Sequence, residues 1–302
     1  MKAIVVSQYG GPEVLKFVDC PDPSPGSGEV LVRVAATSVN PIDMKRRSGD
    51  AKAYSPISFP SVLGVDIAGT VVSCGPGVQG FSAGDLVFGM ADHAYAELCV
   101  VKASSLAKIP MGLDLVEAAA LPLVMTTGYQ LIANGAHVQP GQTVLVTGAF
   151  GNVGRAAVFT ANSQGARVIA GVRKKQLEQE APFGLEGVLA VDDPQAVQSL
   201  PALDAVADTV NGATAELLLS KVKAGGIFAS VLGAPKNSAS FPSVKVIPIY
   251  AQPDPKALLE LATAVIEGRL IIPIAAKMAL SEASEAHARV AKGITGKVLL
   301  VP

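Results

Sequence analysis

From Gly148 to Gly154 the chain reads GAFGNVG, a spacing whose chemistry lies in the main chain. Glycines let backbone N–H groups come close to an anion, and a helix that starts at the turn offers its unpaired amides and positive dipole end to the same spot. The turn can be written as Ala149, Gly151 and Gly154 in a G-x-G-x-x-G with alanine in first place, or as Gly148, Gly151 and Gly154 in a G-x-x-G-x-x-G. In either register Gly151 gives a pyrophosphate close approach and Gly154 lets helix pack on strand. Ala149, Phe150, Gly151, Asn152, Val153 and Gly154 are therefore the first cofactor-binding candidates. Any α/β domain can hold such a turn for structural reasons alone, so the flanks decide. Residues 143–147 are a β-branched apolar run of the kind buried in a parallel sheet. Val153, Ala156, Ala157 and Ala161 then recur at helical spacing, and 167–171 reads as a second strand after Gly165. Strand, glycine turn, helix and strand make a βαβ unit, which favours dinucleotide binding.

Where an NAD site wants a carboxylate for the ribose 2′-hydroxyl, just past the second strand, this chain has Arg173, Lys174 and Lys175, and no acid before Glu178. A guanidinium forks onto phosphate oxygens or stacks on adenine, so the cluster predicts NADPH. Further along, 188–191, 205–209, 226–232 and 244–250 read as strands alternating with helices, which is a doubly wound sheet. Ligands sit beyond the carboxyl ends of such strands, so Thr209, Val210 and Asn211 and the turn Leu232, Gly233, Ala234 are expected to face the cofactor. Pro248 places its strand at an edge or bulge.

Across its 302 residues the chain is 50% hydrophobic and 16% charged, enough apolar content for two cores, with net charge −1. That near-neutral balance, with no basic run longer than three, gives no footprint for nucleic acid or an anionic membrane. No run of about 18 apolar residues suggests a membrane span, and the four-residue apolar run at the start is too short for a secretory signal, so a cytoplasmic enzyme is expected. Cys20, Cys74 and Cys99 are too few and too scattered for a disulfide framework. With His93, His137 and His287 they show no local metal-ligand spacing.

Residues 1–115 are rich in short strands, at 2–7, 29–36, 65–72, 86–90 and 95–101, separated by Gly- and Pro-rich turns, which predicts a small β-barrel. Helical patterning begins at 115–120 and continues through 121–133 past Pro122. At the C-terminal end, 255–267 reads as an amphipathic helix and 270–275 as a strand. A helix at 281–291 is capped by Ser281 or Ser284, and 297–301 is a last strand.

Taken in order, the segments MKAIVVSQYGGPEVL, SVNPIDMKRRSG, LGVDIAGTVVSCGPGV, GDLVFG, AYAE, EAAALPLVMTTGYQ, the cofactor turn, DTVNG, GGIFASVLGAP and GKVLLVP resemble the zinc-lacking quinone oxidoreductases, zeta-crystallin among them, of the medium-chain dehydrogenase/reductase superfamily. The resemblance implies an α/β fold. A GroES-like β-barrel catalytic domain formed by residues 1–117 and completed by 269–302 accompanies a Rossmann NADPH-binding domain at 118–268, with the active site in the cleft. It also implies that Asn40 lies near nicotinamide and substrate and that Thr127 contacts the cofactor. Where zinc-dependent relatives carry a ligand cysteine this chain has Asn40, and where they carry Gly-His-Glu it has Gly64, Val65 and Asp66, so no catalytic metal is expected. Lys45 stands where several relatives carry tyrosine.

Hydride transfer with no metal beside the acceptor suits a quinone or an α,β-unsaturated carbonyl. There the charge delocalises onto a distant oxygen that hydrogen bonds and water can stabilise. Asn40 is the candidate donor to that oxygen; its simpler role is to cap the turn at Pro41. The expected activity is thus NADPH-dependent reduction of quinones or enones. Enoyl-thioester reduction and NADPH binding without turnover, as in a crystallin, are the alternatives. A homodimer paired through the edge strand at 244–250 is also expected.

Overall fold

The computed structural model describes residues 1–179 and 184–302. In chain order, strands β1 (Lys2–Val6), β2 (Lys16–Asp19) and β3 (Glu29–Ser38) precede helix α1 (Pro41–Ser48). Strands β4 (Ser61–Val62), β5 (Asp66–Cys74), β6 (Leu86–Met90), β7 (Leu98–Lys102) and β8 (Leu106–Lys108) follow. Helix α2 (Pro122–Gln130) leads to β9 (Thr143–Thr147), α3 (Asn152–Ser163), β10 (Arg167–Val172), β11 (Leu185–Ala190), α4 (Pro194–Gln198), β12 (Leu203–Asp208), α5 (Gly212–Leu219), β13 (Val222–Ser230) and β14 (Lys245–Pro248). Helix α6 (Pro255–Ile266), β15 (Ile274–Ala279), α7 (Ala283–Ala291) and β16 (Lys297–Val301) complete the chain.

The chain divides into two units, one of Met1–Leu123, Pro253–Ile266 and Ile272–Pro302, the other of Val124–Gln252 and Glu267–Ile271. Helix α6, expected with the dinucleotide-binding part, packs on β8 in the first unit.

In the first unit β3 is the hub. It runs antiparallel to β5, to β7 and, at its far end, to β16, giving the order β15-β16-β3-β5-β6-β8, while β2-β1-β4 forms a separate small sheet. The C-terminal strands β15 and β16 thus join the sheet built on β3. Alternation along β3 sends Val30, Val32 and Val34 inward, against Ile67, Val71 and Val87. The strand expected at 270–275 lies instead at 274–279. Pairing with β16 starts at Ile274↔Lys297, and the half-buried alternation of Ile274, Ala276 and Met278 is an edge-strand signal that the apolar run before Pro273 obscured. Neither Ser281 nor Ser284 caps α7. The helix follows a single turn at Leu280–Glu282, where the Glu282 carboxylate takes the Ala279 N–H at 2.8 Å.

The second unit is a six-stranded, wholly parallel sheet in the order β11-β10-β9-β12-β13-β14. Every residue of β9 is buried, as a central strand covered on both faces requires. Helix α2 opens on Pro122, whose missing N–H costs nothing in a first turn. It widens into a π-type turn at Leu131–Ala136, ended by His137 in the left-handed region. Pro248 pairs with Ser230 in the last strand of the sheet, where its lack of a donor is tolerated. Among the described residues no helix is long and apolar enough to cross a membrane.

A buried polar chain links α1 to α7 in the first unit. Arg47 Nη1 lies 3.1 Å from His287 Nδ1, and since guanidinium only donates, Nδ1 accepts and Nε2–H points to Tyr95 Oη, also 3.1 Å away. Burial first, and the Arg47 charge second, push His287 down to about 3. Asp43, fully buried, accepts the Asn40 N–H through Oδ2 at 2.9 Å, and among the described residues its Oδ1 has no hydrogen-bond partner. Burial raises Asp43 to about 7. The Asn40 N–H, Arg46 and Lys297 oppose the rise and Asp66 adds to it. Burial and the nearby Asp43 carboxyl raise the Tyr95 phenol.

These two shifts have opposite linkage signs. The raised Asp43 contributes stability that is full below its unfolded value of 3.8 and lost as pH rises through about 7. The depressed His287 contributes stability that is full above 6.5 and lost as pH falls toward about 3. Between roughly pH 4 and 6.5 they offset one another. Asp43→Asn should therefore make unfolding free energy fall on acidification, relative to the parent, by up to about 1.4 kcal/mol per pH unit, and His287→Gln should make it fall on alkalinisation. Urea titrations across pH 4–7 read both slopes; parallel curves for parent and variants would contradict the assignment.

Candidate functional site

The glycine turn joins β9 to α3. Gly148, at φ +60°, reverses the chain after Thr147, and Gly151 N donates to Gly148 O at 2.8 Å. A Cβ on Gly154 would overlap the Gly148 carbonyl and the Ala149 main chain, whereas one on Gly151 would meet nothing nearer than Gly148 O at 3.1 Å. Gly154 therefore closes helix onto strand and Gly151 leaves the main chain open, the division of labour a pyrophosphate needs. Gly151 is the N-cap of α3, and among the described residues no side chain caps it, so the helix itself provides no partner for its first-turn amides, those of Asn152 and Val153 among them. Phe150 is 3% exposed and packs its ring in the core with Val146, Ala157 and Val158. It presents only main chain at the turn and does not crowd it. Arg155, which the sequence reading passed over, donates from Nε to Phe150 O at 3.1 Å and so puts a guanidinium beside the turn. Gly128 of α2 abuts Val153 O and Ala156 of α3, an approach only glycine allows, and sets the neighbouring Thr127 on that helix pair.

Arg173 and Lys174 follow β10, both solvent-exposed, and among the described residues neither makes an ion pair. Asp192, just beyond β11, accepts the Lys174 N–H at 2.7 Å. Parallel pairing of β10 with β11 (Val172↔Ala190) makes that juxtaposition, and the register would have predicted it.

Asn211, Leu232 and Gly233 come together at the same end of the sheet. Asn211, in the left-handed region at φ +59°, donates from Nδ2 to Leu232 O at 2.9 Å and accepts the Gly212 N–H at 2.7 Å, while Gly233 sits at φ +92° with open space around it. The buried Asp208 carboxylate holds these loops through the Val210 and Asn211 N–H groups and the Thr147 and Ser230 hydroxyls.

In the first unit Asn40 caps α1, and Pro41 starts it. Its side-chain amide, fully buried, is engaged at both ends. Oδ1 accepts from the Lys297 ammonium at 2.6 Å, and Nδ2 donates to Asp66 Oδ2 at 2.8 Å. Asp66 also accepts from Lys297 Nζ at 3.2 Å, from the Ser38 hydroxyl and, through Oδ1, from the Leu123 N–H at 2.7 Å. The sequence reading treated Asp66 as a barrel residue and Lys297 as part of a strand. Their partnership spans 231 residues and has no local signal. Where the resemblance puts metal ligands, a divalent cation would find Asn40, Val65 and Asp66 and would meet the Lys297 ammonium among them, so these residues do not fit a metal. Among the described residues no three of His, Cys, Asp and Glu are grouped to hold one. Lys45 lies on α1, and the pairing of its neighbour Arg46 with Asp92 at 3.0 Å is a surface ion pair.

Residues 26–111 match the alcohol dehydrogenase GroES-like domain and residues 183–300 the family described as zinc-binding dehydrogenase. A chloroplast envelope quinone oxidoreductase homolog of Arabidopsis thaliana is 31% identical over the whole of this chain and 98% of its own. The quinone oxidoreductase of Escherichia coli, solved in complex with NADPH, superposes with a TM-score of 0.87 at 27% identity over 100% of both chains. An NAD-dependent alcohol dehydrogenase gives 0.87 at 28% identity, again over 100% of both. With a GroES-like barrel, a parallel sheet in Rossmann order and a glycine turn shaped for a pyrophosphate, the chain belongs to the quinone oxidoreductase branch of the medium-chain dehydrogenase/reductase superfamily.

Proposed function

We propose that the protein is a reductase that uses NADPH to reduce quinones or α,β-unsaturated carbonyls. The observation that carries the cofactor choice is the exposed pair Arg173 and Lys174 directly after β10, at the position where a 2′-phosphate would lie on a sheet of this topology. The Escherichia coli neighbour, solved with NADPH, supports the same choice. When bound, the dinucleotide supplies a hydride. The chain's own residues do the rest. The amides at Gly151, Asn152 and Val153 receive the pyrophosphate, with the Arg155 guanidinium beside them, and Arg173 and Lys174 neutralise the 2′-phosphate. Asn211, Leu232 and Gly233 form the neighbouring wall, and Thr127 contributes from α2. A conjugated acceptor spreads its developing charge over distant atoms, which removes the need for a metal at the reacting carbon.

Asn40 is proposed to take part in the reaction. With Oδ1 on the Lys297 ammonium and Nδ2 on Asp66, it serves as a positioning residue, and it reaches a substrate oxygen only by exchanging one of those bonds. Asn40→Ala should cut turnover with little change in NADPH affinity; unchanged turnover removes Asn40 from the reaction.

We also propose a homodimer paired along the free edge of β14, next to which Tyr250 stands 64% exposed. Light scattering should give twice the chain mass, and a monomer rejects the pairing.

The assignment is tested by following oxidation of NADPH and NADH over a panel of quinones, enones and enoyl thioesters. Turnover of quinones or enones with NADPH preferred is expected. Binding without oxidation across the whole panel would overturn the reductase reading. Arg173→Asp should weaken NADPH by about 10- to 100-fold, the loss of one or two charge-assisted hydrogen bonds, and NADH far less. Equal losses would overturn the phosphate assignment.

A further inference from the structure

In the parallel sheet the strand order reverses between β9 and β12. Crossovers from β9 lead through β10 to β11 on one side, and the later strands β12, β13 and β14 lie on the other. Ligands of open α/β sheets sit outside the carboxyl ends at such a reversal. Three carboxyl ends meet there, at Thr147, Asp208 and Ser230, and the loops that follow them carry Gly148, Asn211, Leu232 and Gly233. Loops of this kind are ordinarily the least fixed part of a sheet.

Here one side chain binds all three. Asp208 is fully buried, and among the described residues no cation touches it. Its Oδ1 accepts the Thr147 hydroxyl at 2.9 Å and the Val210 and Asn211 N–H groups at 3.1 Å each. Its Oδ2 accepts the Ser230 hydroxyl at 2.7 Å and shares the Asn211 N–H at 3.2 Å. Both hydroxyls then pass the restraint outward. Thr147 Oγ1 accepts the Thr209 N–H at 2.8 Å, Ser230 Oγ accepts the Leu232 N–H at 3.1 Å, and Thr209 Oγ1 returns a bond to Thr147 O at 2.7 Å. Asn211, whose left-handed backbone is unfavourable for a residue with a Cβ, is held there by the same carboxylate and by its own bond to Leu232 O. A carboxylate oxygen accepts, and the four groups that face this carboxylate all donate to it. An amide in its place, with its oxygen on the Val210 and Asn211 N–H groups, would turn its NH₂ toward the Ser230 hydroxyl and the shared Asn211 N–H, two groups that now donate to Oδ2.

Resting on the dinucleotide reading above, we infer that Asp208 is a positioning residue for the cofactor: it locks the three loops at the sheet's reversal into one arrangement before the dinucleotide arrives. Binding then meets a formed surface and does not have to order it. The lock lies on the turn after β12 and the ends of β9 and β13, whereas Arg173 and Lys174 follow β10. Its loss should thus weaken NADPH and NADH alike and leave their ratio unchanged.

Asp208→Asn in the full chain tests this with two readouts. In the ligand-free protein, hydrogen exchange at the Val210, Asn211 and Leu232 amides should accelerate at least about tenfold, with exchange within β9 and β10 unchanged. Calorimetric titration should show both dinucleotides bound about 10- to 50-fold more weakly, corresponding to the loss of one to two buried charged hydrogen bonds. Unchanged exchange overturns the lock, and faster exchange with unchanged affinity overturns its role in binding. A parent chain that takes up neither dinucleotide overturns the cofactor reading itself, which separates the two failures. Should Asp208→Asn lose its fold, the near-isosteric Thr147→Val removes only the hydroxyl between Asp208 and Thr209. It is expected to weaken both dinucleotides about three- to tenfold; no change would count against the inference.

Discussion

A carboxylate in a dry interior needs donors to converge on it, and at the end of β12 four do: the hydroxyls of Thr147 on β9 and Ser230 on β13, and the N–H groups of Val210 and Asn211 in the turn that follows. That requirement ties the geometry of the second unit together. The parallel sheet brings the ends of β9, β12 and β13 side by side, and the buried Thr147 and Ser230 hydroxyls each donate to Asp208 and accept from the loops that follow. The glycine turn follows directly from Thr147. Its shape rests on Gly148 adopting a left-handed backbone and on Gly154 having no side chain to strike the carbonyl of Gly148. The turn we propose for the pyrophosphate is thus built from main chain, and the buried side chains of Thr147, Asp208 and Ser230 hold the loops beside it.

The first unit solves a similar problem with opposite charges. Lys297, on the final strand, and Asp66, on β5, form a buried ion pair that also grips Asn40 at the start of α1. Burying two charges is costly, and such a pair adds little net stability over an apolar packing of the same shape. What it does supply is a fixed arrangement, because removing either partner strands the other. The C-terminal strand is accordingly bonded to the most buried polar residues of the N-terminal barrel, which explains why the last residues of the chain belong with the first hundred. Beside it, Asp43 and His287 carry shifts of opposite linkage sign within one hydrogen-bonded neighbourhood, so the unit combines a buried acid and a buried base without a steep net dependence on pH.

Much of the fold was legible because its signals are local. The β9 run, the glycine turn, the alanine-rich face of α3 and the second strand sit within thirty consecutive residues, and Pro248 declared its strand an edge. Helix α1 left a local trace as well, since Asn40, Pro41 and Asp43 form an N-terminal cap and Gly49 closes the helix in the left-handed region, but its largely polar body hid it among loops. Strand β15 was displaced by four residues because the apolar run before Pro273 outweighed the weaker alternation after it. What no local pattern reveals is partnership across the chain. Asp66 with Lys297, Asp208 with Thr147 and Ser230, and Asp192 beside Lys174 each depend on strand register, and each had been read as an ordinary turn or strand residue or passed over. Phe150 illustrates the converse. Its place in the motif marked it as a cofactor-binding candidate, and burial of its ring in the core leaves only its main chain at the turn.

The central claim is that a nicotinamide dinucleotide is bound by main chain at the turn between β9 and α3, with its phosphorylated ribose toward the basic residues after β10. A crystal structure of the protein grown with NADPH tests it most directly. The account predicts pyrophosphate oxygens on the N–H groups of residues 151–153 and the 2′-phosphate on Arg173 or Lys174. Density for the dinucleotide at another end of the sheet, or its pyrophosphate held by side chains away from the glycine turn, would contradict it.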